Sequence, residues 1–183
     1  MSRATLALLG AYLVCSLMLA PHANAAAATF YSIGARYHAT HSRFEDYPFR
    51  SGDLTYQAGM EFHEGIGFWQ IIVGYTPSVK SPPEPDDPEL VVPEIDYVFT
   101  PQLNLILHDQ GWLVGTGILS SYIKDEVESD WSKVYWQTML GYQFRLQHFT
   151  LDVMGIYPFD SWSNFSDFRF GNMEFSVMLK RRF

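Results

Sequence analysis

Apolar and polar residues alternate with a period of two along most of this chain, and no segment carries a convincing helical period. Eight segments read as strands: Thr29 to Ala39, Asp53 to His63, Phe68 to Tyr75, Glu94 to Leu107, Trp112 to Ile123, Val134 to Arg145, Phe149 to Tyr157, and Asn172 to Arg182. One parity is almost free of charge. It runs through Tyr31, Ile33, Ala35 and Tyr37, then Leu54, Tyr56, Ala58, Met60 and Phe62, then Trp69, Ile71, Val73 and Tyr75. Later strands continue it with Phe99, Leu103 and Leu105, with Trp136, Leu140, Tyr142 and Phe144, and with Leu151, Val153 and Tyr157. Only the fifth strand is ambiguous, since both of its parities hold apolar residues.

The connections alternate in length. Glu64 to Gly67, His108 to Gly111 and Leu146 to His148 are short, whereas Thr40 to Gly52, Thr76 to Pro93, Lys124 to Lys133 and Pro158 to Gly171 are long. Eight antiparallel strands joined in this way predict an all-β, up-and-down barrel with tight turns at one end and loops at the other. The alternation fits two environments. In a soluble lipocalin-like barrel the apolar parity faces inward; in a membrane barrel it faces lipid. Aromatics gathered near the ends of the apolar rows, with aliphatics more often between them, favour the membrane, as does the loop asymmetry.

Residues 1–25 are expected to be a signal peptide: Arg3 opens it, Leu6 to Ala20 is apolar, and Ala23-Asn24-Ala25 suits cleavage. Residues 26–183 then form a single barrel domain. No stretch approaches about 18 continuous apolar residues, so a helical membrane protein is not expected. The one cysteine, Cys15, lies in the leader, and Val14 before it is not the small residue that lipoprotein processing favours. Disulfides and thiolate metal sites are therefore excluded. A formal net charge of -8 makes nucleic acid a poor partner.

The polar parity holds the candidate chemistry. A barrel of eight strands is wide enough only to be filled by side chains, so its inner charges should pair. The candidate lumen network is Arg36, Glu61, Asp96, Arg145, Asp152, Glu174 and Lys180. Register counting brings Asp152 and Lys180 to similar heights, with Arg145 across the adjoining turn, and Arg36 near Glu174. His63, His108 and His148 lie in or beside the short turns, but neighbouring turns are about 10 Å apart, and zinc needs each nitrogen at about 2.0 to 2.1 Å. No metal or other cofactor is expected. At the loop-side rim, His38 and His41 are candidates to act with Asp160 and Ser161, since a histidine base, a carboxylate and a hydroxyl are the minimum for acyl transfer. The second long loop contains Pro82, Pro83, Pro85 and Pro88, a density that excludes helix and sheet pairing. It and the third loop are acidic, which suits solvated loops, with a surface partner or bridging by divalent cations as the alternatives.

The last segment puts Met173, Phe175, Val177, Leu179 and Phe183 on one face and Glu174, Ser176, Met178, Lys180 and Arg182 on the other. An amphipathic strand ending on an aromatic resembles the closing strand of bacterial outer-membrane barrels, in which that residue is an assembly signal, the role the resemblance implies for Phe183. Over the whole mature chain the architecture resembles the small barrels of the OmpA-transmembrane and OmpX kind, without a family-specific motif. The resemblance implies a monomeric outer-membrane protein with both termini in the periplasm, in contact with membrane lipids and lipopolysaccharide and inserted by the barrel-assembly machinery. It implies a non-enzymatic role in envelope integrity or surface recognition. The alternative is a lipid A acyltransferase or deacylase. Those enzymes carry, respectively, an amphipathic helix before the first strand and a His-x-Ser motif followed by asparagine; here only Ala26 to Ala28 precede the strand, and His38-Ala39-Thr40 is His-x-Thr.

Overall fold

A computed structural model describes residues 28–39, 47–79, 95–125, 129–162 and 170–182. Ten strands form one antiparallel sheet: β1 (Ala28–His38), β2 (Asp53–Glu64), β3 (Gly67–Thr76), β4 (Ile95–Asp109), β5 (Trp112–Leu119), β6 (Tyr122–Asp125), β7 (Ser129–Trp131), β8 (Tyr135–Arg145), β9 (Thr150–Phe159) and β10 (Glu174–Arg182). The first and last strands pair, with Phe30 opposite Arg182 and Tyr37 opposite Phe175, and β3 pairs with β4, so the sheet closes on itself. Closure removes the edges that an open sheet would expose.

Eight strands make the barrel wall because β5–β6 and β7–β8 are two interrupted strands. The turn-side part of β4 pairs with β5, and its loop-side part, Ile95–Phe99, pairs with β6. The interruption at Ser120 and Ser121 falls opposite Pro101, which has no amide hydrogen to offer the ladder. Serines bridge the gap instead: the Ser132 amide donates to the Ser121 carbonyl at 2.7 Å, and the Ser121 amide donates to Ser132 Oγ at 2.9 Å. Beyond it, β6 and β7 form a hairpin that runs from the end of the expected fifth strand into the segment expected to be the third loop, with Tyr122 against Trp131.

The wall has the dimensions of a membrane barrel. Strands β1, β2, β3, β8, β9 and β10 run for 9 to 12 residues, close to the length a tilted strand needs to cross a hydrocarbon core. At the turn end, Gln110 and Gly111 both take positive φ, the conformation of the tight hairpin turn. Gly117 serves a different need, since a Cβ there would collide with the Asn104 side chain that crosses the lumen.

The fifth strand's ambiguity resolves inside the barrel. Leu113 of β5 joins Phe68, Ile106, Met139, Met154 and Ile156 in an apolar cluster within the lumen, while Trp112 and Val114 face outward. Tyr157 departs from its expected outward row: it is buried along with Pro158 and Phe159, where Trp162 folds back against Phe159 and Trp136.

Candidate functional site

The inner parity of the strands builds two charged centres and a line of amides between them. At the loop end, Arg36 and His38 stand two residues apart on β1 and therefore share the inner face. Glu174, at the start of β10, holds both: Arg36 Nε donates to Glu174 Oε2, and His38 Nδ1 lies 2.9 Å from Glu174 Oε1. His38 Nε2 is 2.7 Å from Thr55 Oγ1, which in turn is 2.7 Å from Thr76 Oγ1. All of these groups are buried.

The chain after β1 returns to cover this centre. Phe49 stacks on the His38 ring at 3.9 Å, and the Tyr47 hydroxyl donates to Glu174 Oε1 at 2.9 Å. Burial, reinforced by the Glu174 carboxylate, raises the Tyr47 phenol well above its ordinary range, so it remains a neutral donor. Tyr47 and Phe49 pack with Val79, Val98, Leu119 and Tyr135 as an apolar cap over the charges.

At the turn end, Lys180 of β10 lies between two carboxylates, 2.8 Å from Glu61 Oε2 and 2.6 Å from Asp152 Oδ2. His63 Nε2 is 2.9 Å from the same Glu61 oxygen, and Gln143 Nε2 donates to Asp152 Oδ1 at 3.1 Å. From Glu61 the contacts run on. Gln70 donates to Glu61 at 2.8 Å, Asn104 to Gln70 at 2.9 Å, Gln137 to Asn104 at 2.7 Å, and Arg36 to Gln137 at 2.9 Å. Every amide in that line donates toward Glu61, so the cation at one end and the carboxylate at the other orient all three.

These contacts locate the candidate residues. Arg36 meets Glu174, and Lys180 meets both Asp152 and Glu61. Two members of the expected lumen network lie elsewhere. Asp96 is exposed, because the β4–β6 register shifts between Ile95 and Tyr97 and takes it off the inner parity. Arg145, at the end of β8, is exposed at the turn-side mouth. His38 is oriented by Glu174 and Thr55, a different pair from the Asp160 and Ser161 proposed for it. His41 and Phe183 lie outside the described residues, as do the leader and residues 80–94, which include the proline-rich segment. Sequence reasoning missed Tyr47, whose loop position carries no periodic signal, and Gln137, which does lie on the inner parity of β8.

Among the described residues no three His, Asp or Glu side chains converge as metal ligands. His63 and His108 nevertheless line one cavity of about 290 Å³ at the turn end, whereas His148 is exposed in its turn.

The outside of the wall is the reverse of the inside. Ile33 is 64 % exposed, Leu140 55 % and Ile71 50 %, while Arg36, Lys180, Glu61 and Asp152 are at most 1 % exposed. The outward aliphatics form a continuous band flanked on one side by Trp69, Phe62, Trp112 and Phe144 and on the other by Tyr37, Tyr56, Tyr75 and Phe175. A patch that encircles the molecule has no place in water, and two aromatic rows bounding an aliphatic zone match the two interfaces of a bilayer. The chain is an eight-stranded transmembrane β-barrel.

Among solved structures the barrel is similar to the Yersinia pestis outer membrane protein Ail in a phospholipid bilayer nanodisc, at 12% identity over 86% of this chain and 99% of that one, with a TM-score of 0.49. At that identity and score the likeness adds nothing to what burial establishes. No family model matches the chain, and no curated protein does.

Proposed function

We propose that this barrel lies in the outer membrane of a Gram-negative bacterium, with turns and termini in the periplasm and loops outside, and acts without catalysis in envelope integrity or surface recognition. The supporting observation is the inversion of burial: an apolar belt outside, and inside a line of hydrogen bonds from Lys180 to Arg36 capped by Tyr47 and Phe49. A lumen occupied in this way suits a rigid platform that presents its loops. Lipids and lipopolysaccharide would cover the belt, and the assembly machinery would engage the last strand. A leader at residues 1–25 would route the chain to the periplasm.

The lipid A-modifying alternative needs an accessible base at the rim. His38 is 1 % exposed beneath Phe49, with both ring nitrogens engaged, which weighs against that role. The deciding experiment is mass spectrometry of lipid A from cells with and without the protein. An unchanged acylation pattern supports the non-enzymatic reading; a shift in acyl-chain number overturns it. Protease treatment of intact cells checks the orientation, with cleavage expected within residues 80–94 and not in the short turns.

A further inference from the structure

The turn-side mouth contains a cavity that the surface role leaves unused. It measures about 290 Å³, and Phe30, His63, His108, Gln143, Arg145 and Lys180 are among its walls. Among the described residues no carboxylate lines it. Glu61 and Asp152 lie deeper and already have partners: Lys180 contacts both, Gln70 and His63 contact Glu61, and Gln143 contacts Asp152. His63 is held between two rings, 4.5 Å from Phe30 and 4.3 Å from Phe68. That arrangement fixes its plane and leaves it facing the cavity it lines.

Two nitrogen groups in this wall remain uncommitted. His108 Nε2 is buried with no hydrogen-bond partner, and among the described residues Arg145 forms no ion pair. A buried polar nitrogen without a partner is costly, and native sites with such an atom commonly hold something that satisfies it. Arg182 adds to the field. It lies on the inner parity of β10, two residues beyond Lys180 and opposite Phe30, and it is exposed at the mouth. Arg145, Lys180 and Arg182 thus stand around this mouth; of the carboxylates at this end, Glu61 and Asp152 are held by Lys180, while Glu64 and Asp109 end β2 and β4 on the exposed side of the turns.

From this geometry we infer that the turn-side cavity is an anion site for a phosphate group, with Arg145 supplying its planar fork and His108 and His63 completing the contacts. Phosphate fits better than a flat carboxylate because its several oxygens can take donors from different walls at once, and the guanidinium matches two of them side by side. The phosphate can belong to a free small anion or to the headgroup of a lipid in the leaflet at the turn end. Phe30 and Ala28 on the wall make the cavity suitable for either.

The test uses the full chain refolded in a phosphate-free alkyl glucoside detergent and titrated at constant ionic strength, while the side-chain NMR signals of Arg145, His63 and His108 are followed. One arm uses inorganic phosphate and the other short-chain dihexanoyl phosphatidylglycerol below its micelle threshold. Saturable shifts confined to the turn end in either arm support the site. Response in both arms identifies the phosphate group itself, and response only to the lipid identifies a headgroup site. Arg145→Gln lies at an exposed strand end, so the barrel is expected to fold, and binding should weaken about tenfold with loss of one charge-assisted contact. Arg181→Gln, on the outward parity against Phe149, should leave affinity unchanged. No saturable shift with either probe, or equal affinity for Arg145→Gln and the parent chain, overturns the inference.

Discussion

Arg36 shows how much depends on a single side chain. It is fully buried, bonded to Glu174 and Gln137, and lies at the head of the amide line toward Glu61. Glu174→Ala would leave its guanidinium and the His38 ring without their carboxylate, and breaking a buried pair from one side costs about 3 to 5 kcal/mol. Urea unfolding of the variant in lipid vesicles should show a loss of that size with an unchanged slope. The turn-end centre behaves differently because Lys180 has two carboxylates. Asp152→Ala leaves Glu61 in place and should lower the midpoint less than Glu174→Ala does, whereas Lys180→Met strands both acids and should lower it more than Asp152→Ala. The double variant Asp152→Ala with Lys180→Met should recover part of the Lys180→Met loss, and that coupling, measured as a double-mutant cycle, would identify the pair as direct partners. The Arg36–Glu174 and Asp152–Lys180 encounters were legible in the sequence, because strand parity and turn position fix height and facing. Asp96 was misplaced because a local register shift leaves no mark in an alternating pattern.

Among the elements, the interrupted strands separate wall from superstructure. Hairpin β6–β7 pairs with the outer part of β4 and with itself, while β5 and β8 pair directly with each other across eight residues below it. Replacing residues 122–131 with a short turn should therefore leave a closed barrel. The expected outcome is retained heat-modifiable migration and an unfolding midpoint close to that of the parent chain; loss of the compact band would show that the hairpin is part of the wall. The sequence signalled Trp112 to Ile123 as one strand with two apolar parities and Lys124 to Lys133 as a loop. The inward apolar residue Leu113 belongs to the lumen cluster with Phe68 and Met154, and nothing local distinguishes a lumen-facing leucine from a lipid-facing one. The β7 pairing was likewise hidden, since Ser129-Asp130-Trp131 becomes a strand by pairing with β6 more than by its own composition.

The whole molecule is a cylinder whose solvent relations are inverted, and its occupied lumen has a direct consequence for transport. Reconstituted in planar bilayers, the barrel should give no stepwise conductance of the kind wide porins produce. Tyr47→Ala together with Phe49→Ala removes the apolar cap, but the amide line from Gln70 through Asn104 to Gln137 should still obstruct the lumen, so that variant should also remain closed. Large regular current steps from either protein would contradict a filled barrel. Read from the sequence alone, period-two alternation, aromatic placement and alternating connection lengths determined the number of wall strands, the order of their pairing and the face that most of their residues take, with Asp96, Tyr157 and the fifth strand as the exceptions. Those are properties of neighbours along the chain and of a pleat with two sides. Tertiary structure alone decided that one carboxylate, Glu174, serves Arg36, His38 and Tyr47 at once, that neutral amides carry the connection to Lys180, and that His63 and His108 share a cavity with Arg145. Each joins side chains from separate strands, or from strands and the segment after β1, and their meeting depends on closure, tilt and the reach of rotamers across the lumen, none of which is written into the spacing of any one segment.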